Sequence, residues 1–193
     1  MEPATRRSAI QVILSEHRRL RSVVNGMLRV IDRIASNADS SGPILIRAML
    51  YYIHEFPEQI HHPKEECYLL ARLRERTDEL DATIEELGHQ HEEGEQRIQA
   101  LERALTRFEL EGASALSALR SDVTAYADFY AKHQQLEETI ILPRAQRYLT
   151  VADWVEIDEA FGANRDPFES LECEDNLDDL YALIVQTMPD ARS

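Results

Sequence analysis

Glycine is scarce, with six in 193 residues. So few positions free to turn with positive φ disfavour sandwiches and barrels, which reverse direction at every strand end. Cysteine is scarcer still. Cys67 and Cys173 form no disulfide framework, and a reducing cytoplasm suits them. Basic residues number 21 against 36 acidic ones, a net charge of -15. Such a surface repels phosphate backbones, so nucleic acid is not an expected partner. No apolar run approaches the roughly 20 residues that span a bilayer, so no membrane partner is expected. The opening MEPATRRSAI also lacks the apolar stretch of a secretory signal. Convincing period-two alternation is missing as well. What the chain has in quantity is apolar residues at helical spacing, and at 44% of the sequence they suffice for a core.

Ile10, Ile13, Leu14, His17, Leu20, Val24, Met27, Leu28 and Ile31 follow alternating steps of three and four, which predicts an amphipathic helix ending near Ile34 at the breaker-rich SNADSSGP. A second helix is expected from about Ile44 to Arg76, bent by Pro57 and Pro63. A third spans about Asp78 to Leu110 and is broken by Glu111-Gly112. The fourth, about Ser114 to Leu149, presents Leu119, Val123, Tyr126, Tyr130, His133, Leu136, Ile140 and Ile141 on one face. Thr150 and Asp153 form a capping pair that opens a shorter fifth helix to about Phe161, and the acidic tail carries a short helix over Leu177 to Thr187. Helices of about 30 residues are about 45 Å long. Joined by short loops, they predict an all-α, up-down-up-down four-helix bundle over residues 1–150. One or two extra C-terminal helices, in residues 151–193, are expected to pack on the same domain.

Function has to come from what interrupts the apolar stripes. Of seven histidines, His17, His61, His91 and His133 fall on four different helices inside the seams. At α-helical spacing His61 shares a face with Ile53, His54, Tyr68 and Leu69, whereas His62 shares one with Glu55, Glu58, Gln59 and Glu66, so His61 is the inward member of the doublet. His89, among Glu85, Glu86, Glu92 and Glu93, reads as surface. A carboxylate follows four residues after six of the seven histidines. Most of those acids crowd exposed faces, but His61/Glu65 and His133/Glu137 have both members inward, one turn apart. A buried carboxylate without a partner costs several kcal/mol, and a metal ion supplies the compensation. His17, His61, His91 and His133 offer nitrogens while Glu65 and Glu137 offer oxygens. If each carboxylate bridges two ions, each ion has two nitrogens and two oxygens, and an oxo or hydroxo bridge leaves an octahedral position open. That mixed set suits two iron ions, with manganese or zinc as substitutes. Tyr126, Phe129 and Tyr130 read as core, with contact to a bound ligand as the alternative. Cys67, two residues past Glu65, reads as filler. The Glu-x-x-His spellings Glu58/His61 and Glu86/His89 suggest another di-iron pattern, but both glutamates and His89 fall on polar faces.

The segments EHRRL around His17, HHPKEECYLL around His61, HQHEEGE around His91 and KHQQLEETIILPRA around His133 resemble the hemerythrin-like family, the bundles with an HHE cation-binding domain. The resemblance covers roughly residues 10–150. It implies a non-haem di-iron centre that binds or reacts with O2, NO or peroxide, with His17, His61, Glu65, His91, His133 and Glu137 as metal ligands. Oxygen-carrying members have two histidines four apart on the third helix, where this chain has Leu87 and Glu95 around His91. The four-histidine, two-glutamate set is also similar to bacterial proteins that repair iron centres. A metal- or oxygen-dependent sensor is the other reading. Glu95 and His54 stand near enough in sequence to be further ligands, and turnover would call on an external electron donor because no Rossmann glycine fingerprint is present.

Overall fold

The computed structural model describes residues 8–36 and 42–163. Cys173 and the helix expected over Leu177 to Thr187 lie outside the described residues. Among those described, there are five helices and no strand. Helix α1 is Ala9–Ala35, and Ser8 opens it with a capping box, its hydroxyl accepting from Gln11 N while the Gln11 side chain accepts from Ser8 N. Helix α2 covers residues 42–76 and begins as an α-helix, Gly42–Ile53. It widens to π-helical turns at His54–His61 and Glu65–Leu70 and closes as Ala71–Arg76. Helix α3 is Asp81–Glu111. Helix α4 covers residues 113–148, with one π-helical stretch at Glu137–Ile141. Gly112 alone joins α3 to α4, at φ 67, a conformation that would strain any residue with a Cβ.

The apolar stripes assemble into two separate clusters. One holds Leu20 to Ile34 of α1, Leu45 to Phe56 of α2, Ile98 to Leu105 of α3 and Leu119 to Tyr130 of α4. The other holds Ala9 and Ile13, Leu69 to Leu73, Leu80 to Leu87 and Ile141 to Leu149, with Ile157 and Phe161. Consecutive helices meet the clusters in opposite order, as an antiparallel bundle requires. Between the clusters each of the first four helices contributes buried polar residues: Glu16 and His17 from the first, His61, His62 and Glu65 from the second, His91 from the third, and His133, Gln134 and Glu137 from the fourth.

Helix α5, Val151–Gly162, closes the end nearest that polar layer. Thr150 and Asp153 form the expected capping box, and Asp153 also takes two hydrogen bonds from Arg76, at 2.9 and 2.7 Å. Lys64 Nζ donates to Ala160 O at 2.9 Å, and Ala9 N donates to the Asp158 carboxylate at 2.7 Å. Asp153 is held well below the usual carboxylate range, first by Arg76. Its contribution to stability is present above the unfolded value of about 3.9 and is lost as pH falls through its lowered folded value. Asp153→Ala should cost about 1–3 kcal/mol in denaturant melts, by removing the cap and an ion pair. The gap between wild type and variant should begin to narrow below about pH 4, where the carboxyl starts to protonate in the unfolded chain, and keep narrowing as pH falls toward the lowered folded value. Equal midpoints at pH 7 would disprove the role.

Candidate metal centre

Five histidines, not four, converge in the polar layer: His17, His61, His62, His91 and His133 are each 7% exposed or less. Every one has its Nδ1 engaged from outside. His17 bonds Glu138 at 3.1 Å, His61 bonds Glu16 at 2.7 Å, His62 bonds Glu58 at 3.3 Å and His91 bonds Glu66 at 2.7 Å. His133 bonds the Gln90 side-chain oxygen at 3.1 Å. Those partner oxygens accept, so each Nδ1 carries the hydrogen and each Nε2 of a neutral ring presents a lone pair to the interior. The Nε2 atoms of His17 and His61 lie 3.3 Å apart. Two lone pairs at that distance repel unless a cation lies between them.

The carboxylates complete the arrangement. Glu65 Oε1 is 3.4 Å from His61 Nε2, and its Oε2 is 3.9 Å from His91 Nε2. Glu137 Oε2 is 3.2 Å from His17 Nε2, and its Oε1 is 3.3 Å from His133 Nε2. Each carboxylate therefore turns one oxygen to each half of the cage. Metal bonds of about 2.1 Å put neighbouring ligand atoms about 3.0 Å apart in an octahedron and about 3.4 Å apart in a tetrahedron. The spacings around His17 and His61 are of that size. His17, His61 and Glu65 form one group with ligand atoms within 4.8 Å of one another, and His62, His91 and His133 form another, as do Glu65, His91 and Glu137. The Nε2 atoms of His62, His91 and His133 and the Oε2 atoms of both glutamates are buried without a hydrogen bond. Orphaned donors and acceptors of this kind cost about 1–3 kcal/mol each, and all five face the same interior, so the donor set fits a metal.

The face assignment of the His61/His62 doublet needs correction. His62 is buried, 4% exposed, and stacks on His91 with centroids 4.3 Å apart. The cause is the π-helical widening of α2, in which His62 N donates to Pro57 O, five residues back. Pro57 lacks an N–H, so a regular ladder is already interrupted there. Wider turns separate neighbours by less than the roughly 100° of an α-helix, and both imidazoles reach the interior. Glu58, expected on a polar face, has a side chain only 5% exposed and holds His62. The π turn of α4 acts similarly, leaving Ile140 of the expected stripe 37% exposed while Ile141 is buried. A Pro followed by an inward doublet was the available signal for His62, but spacing rules at 3.6 residues per turn cannot read it.

The remaining candidates lie elsewhere. His54 is half-buried, with its ring beside Glu55, and belongs to none of the three ligand groups; Glu95 is exposed. His89 is exposed, as expected. Cys67 is an exposed thiol and fills no part of the core. It lies in an open groove of about 710 Å³ with Glu66, Arg74 and His89. Tyr126 and Tyr130 are buried beneath the cage, and Phe161 of α5 meets the His61 ring edge-on at 6.1 Å.

Protons perform the work of a cation in the metal-free cage. Burial lowers the His17 pKa, but the Glu137 carboxylate 3.2 Å from its Nε2, the hydrogen bond to Glu138 and the charge of Glu65 outweigh it and push it up to about 10. His61 and His91 also rise despite burial, through Glu65 and Glu16 for the first and Glu137 and Glu66 for the second. Burial and the neighbouring cationic rings push His62 well down and His133 down to about 4. Burial and the adjacent Glu137 push Glu65 well up, while His133 and His17 hold Glu137 well below the usual carboxylate range against the effect of burial. A metal ion must displace these protons. Metal uptake at pH 7 should therefore release protons, with apparent affinity rising about tenfold per pH unit for each proton displaced. For His17 this rise continues to about pH 10. Calorimetric titration in buffers of different ionisation enthalpy measures the release; a buffer-independent enthalpy would contradict it.

Comparison with known proteins points to a cation-binding family. The family described as "Hemerythrin HHE cation binding domain" matches residues 8–145. Uncharacterized proteins of Mycobacterium bovis and Mycobacterium tuberculosis are each 24% identical over 157 residues, covering 80% of this chain. The alignment spans 60% of the length of those curated relatives. No solved structure matches.

Proposed function

Since the chain belongs to the hemerythrin HHE cation-binding family, we propose that its cage is a dinuclear non-haem iron centre that binds or reacts with a small oxidant such as O2, NO or peroxide. His17 and His61 would hold one ion and His62, His91 and His133 the other, with Glu65 and Glu137 bridging. The observation that carries this reading is the common orientation of five buried imidazoles, each anchored at Nδ1 and turned inward at Nε2. Iron in mixed imidazole and carboxylate coordination supplies redox chemistry and a position for a small ligand. The chain's own residues orient, charge and seal the site. Four of the five anchors are glutamates, which raise imidazole basicity and favour the more highly charged metal state. The neutral exception, Gln90 on His133, makes the two halves inequivalent. The apolar clusters on either side, with Phe161 over His61, exclude water.

The test is metal analysis and the optical spectrum of anaerobically purified protein. Iron-replete expression should give about two ions per chain, and His61→Ala and His62→Ala should each lower that number. Less than about one ion in the wild type would overturn the reading. Full occupancy in His62→Ala would remove His62 from the ligand set. Stopped-flow mixing with O2, NO or peroxide then separates reversible binding from turnover, which needs an electron donor from outside the chain.

A further inference from the structure

Tyr130 has no structural use for its hydroxyl. The side chain is 3% exposed, and its oxygen is buried without a hydrogen bond. Leaving a phenol unpaired costs about 1–3 kcal/mol, and phenylalanine would fill the same space without that cost. The position of the ring gives the hydroxyl a meaning. Tyr130 lies one turn before His133, with ring centroids 5.5 Å apart, and 6.3 Å from His62. On its other side it walls a narrow recess with His17 and His61, closed by Leu20, Phe56 and Pro57. The Tyr130 ring thus stands beside histidines of both halves of the cage. No water-sized sphere fits in the recess as it stands. An occupant must be small and must displace the apolar walls, and Glu16, the carboxylate there, is already bonded to His61.

We propose that Tyr130 is the hydrogen-bond donor to the exogenous ligand of this centre. The ligand class is a molecule of two or three heavy atoms whose outer atom accepts a hydrogen bond. The assignment rests on the dinuclear reading above and adds to it a specificity-determining residue. Tyr126, stacked on Tyr130 at 5.9 Å, is the natural control, because its hydroxyl is also buried and unpaired but it does not wall the recess.

Azide is a suitable probe, titrated optically into metal-loaded wild type, Tyr130→Phe and Tyr126→Phe at matched metal content. Tyr130→Phe should bind azide about tenfold more weakly, and the shift of the azide infrared band on exchange into D2O should disappear. Tyr126→Phe should stay within about twofold of wild type and keep that shift. In the metal-free protein, Tyr130→Phe should melt no lower than wild type. A lower melting temperature would reveal a structural partner for the hydroxyl and overturn the assignment. Unchanged azide affinity in Tyr130→Phe, an equal loss in Tyr126→Phe, or no azide binding to metal-loaded wild type would each overturn it while leaving the dinuclear reading in place. A wild type that takes up no metal overturns both.

Discussion

Chelating the metal from the loaded protein should lower its melting temperature by about 15–30 °C. An ion that binds only the folded state stabilises it by about 4 kcal/mol when its free concentration is a thousandfold above Kd. Two such ions contribute about 8 kcal/mol, and 1 kcal/mol is worth about 2–4 °C in a chain of this size. The magnitude is large because the cage has no good alternative. Without metal, five buried imidazoles and two buried carboxylates rely on protons shared among them, and five of the inward-facing atoms have no hydrogen bond. Circular dichroism melts with and without chelator measure the difference. A shift below about 5 °C would mean that the ions are not bound to the fold as described.

The second large effect belongs to Glu137. Its Oε2 lies 3.2 Å from His17 Nε2 and its Oε1 lies 3.3 Å from His133 Nε2, so one carboxylate serves both halves. Glu137→Gln keeps the shape, removes the charge and turns an amide NH2 toward one half. Metal content should fall from about two ions per chain to fewer than about one. Loss of a single ion, with the other retained at wild-type affinity, would contradict the shared role. In the metal-free protein the same change strands the proton on His17, and removing one member of a buried pair costs about 3–5 kcal/mol. The variant should therefore also melt lower than metal-free wild type. Glu66→Gln makes a useful contrast, since Glu66 is half-exposed and touches only the outer nitrogen of His91.

Much of this was legible in the sequence because α-helices obey one period. The stripes of α1 and α3 locate His17 and His91, and Gly112 and the Thr150/Asp153 cap mark element boundaries that the structure places where expected. His61/Glu65 and His133/Glu137 were found from a spacing of four, and both pairs lie in the cage at 3.4 and 3.3 Å. His62 was misread for the reason that makes the rule work elsewhere. A constant 100° per residue cannot describe a helix whose hydrogen bonds reach back five residues. The same slip put Glu58 on the surface and Ile140 in the core.

By itself, the sequence determined the helices, their apolar faces and the presence of acids and histidines that only a cation reconciles, since these follow from local periodicity and from the cost of burying charge. The tertiary structure decided what contacts across helices decide. It brought His62 inward through π turns and set Glu16, Glu58, Glu66, Glu138 and Gln90 behind five imidazoles. It also left the Tyr130 hydroxyl buried with nothing to bond, on a ring that packs beside the cage. Four of those five anchors reach a histidine on another helix, so no pattern along one helix could have announced them.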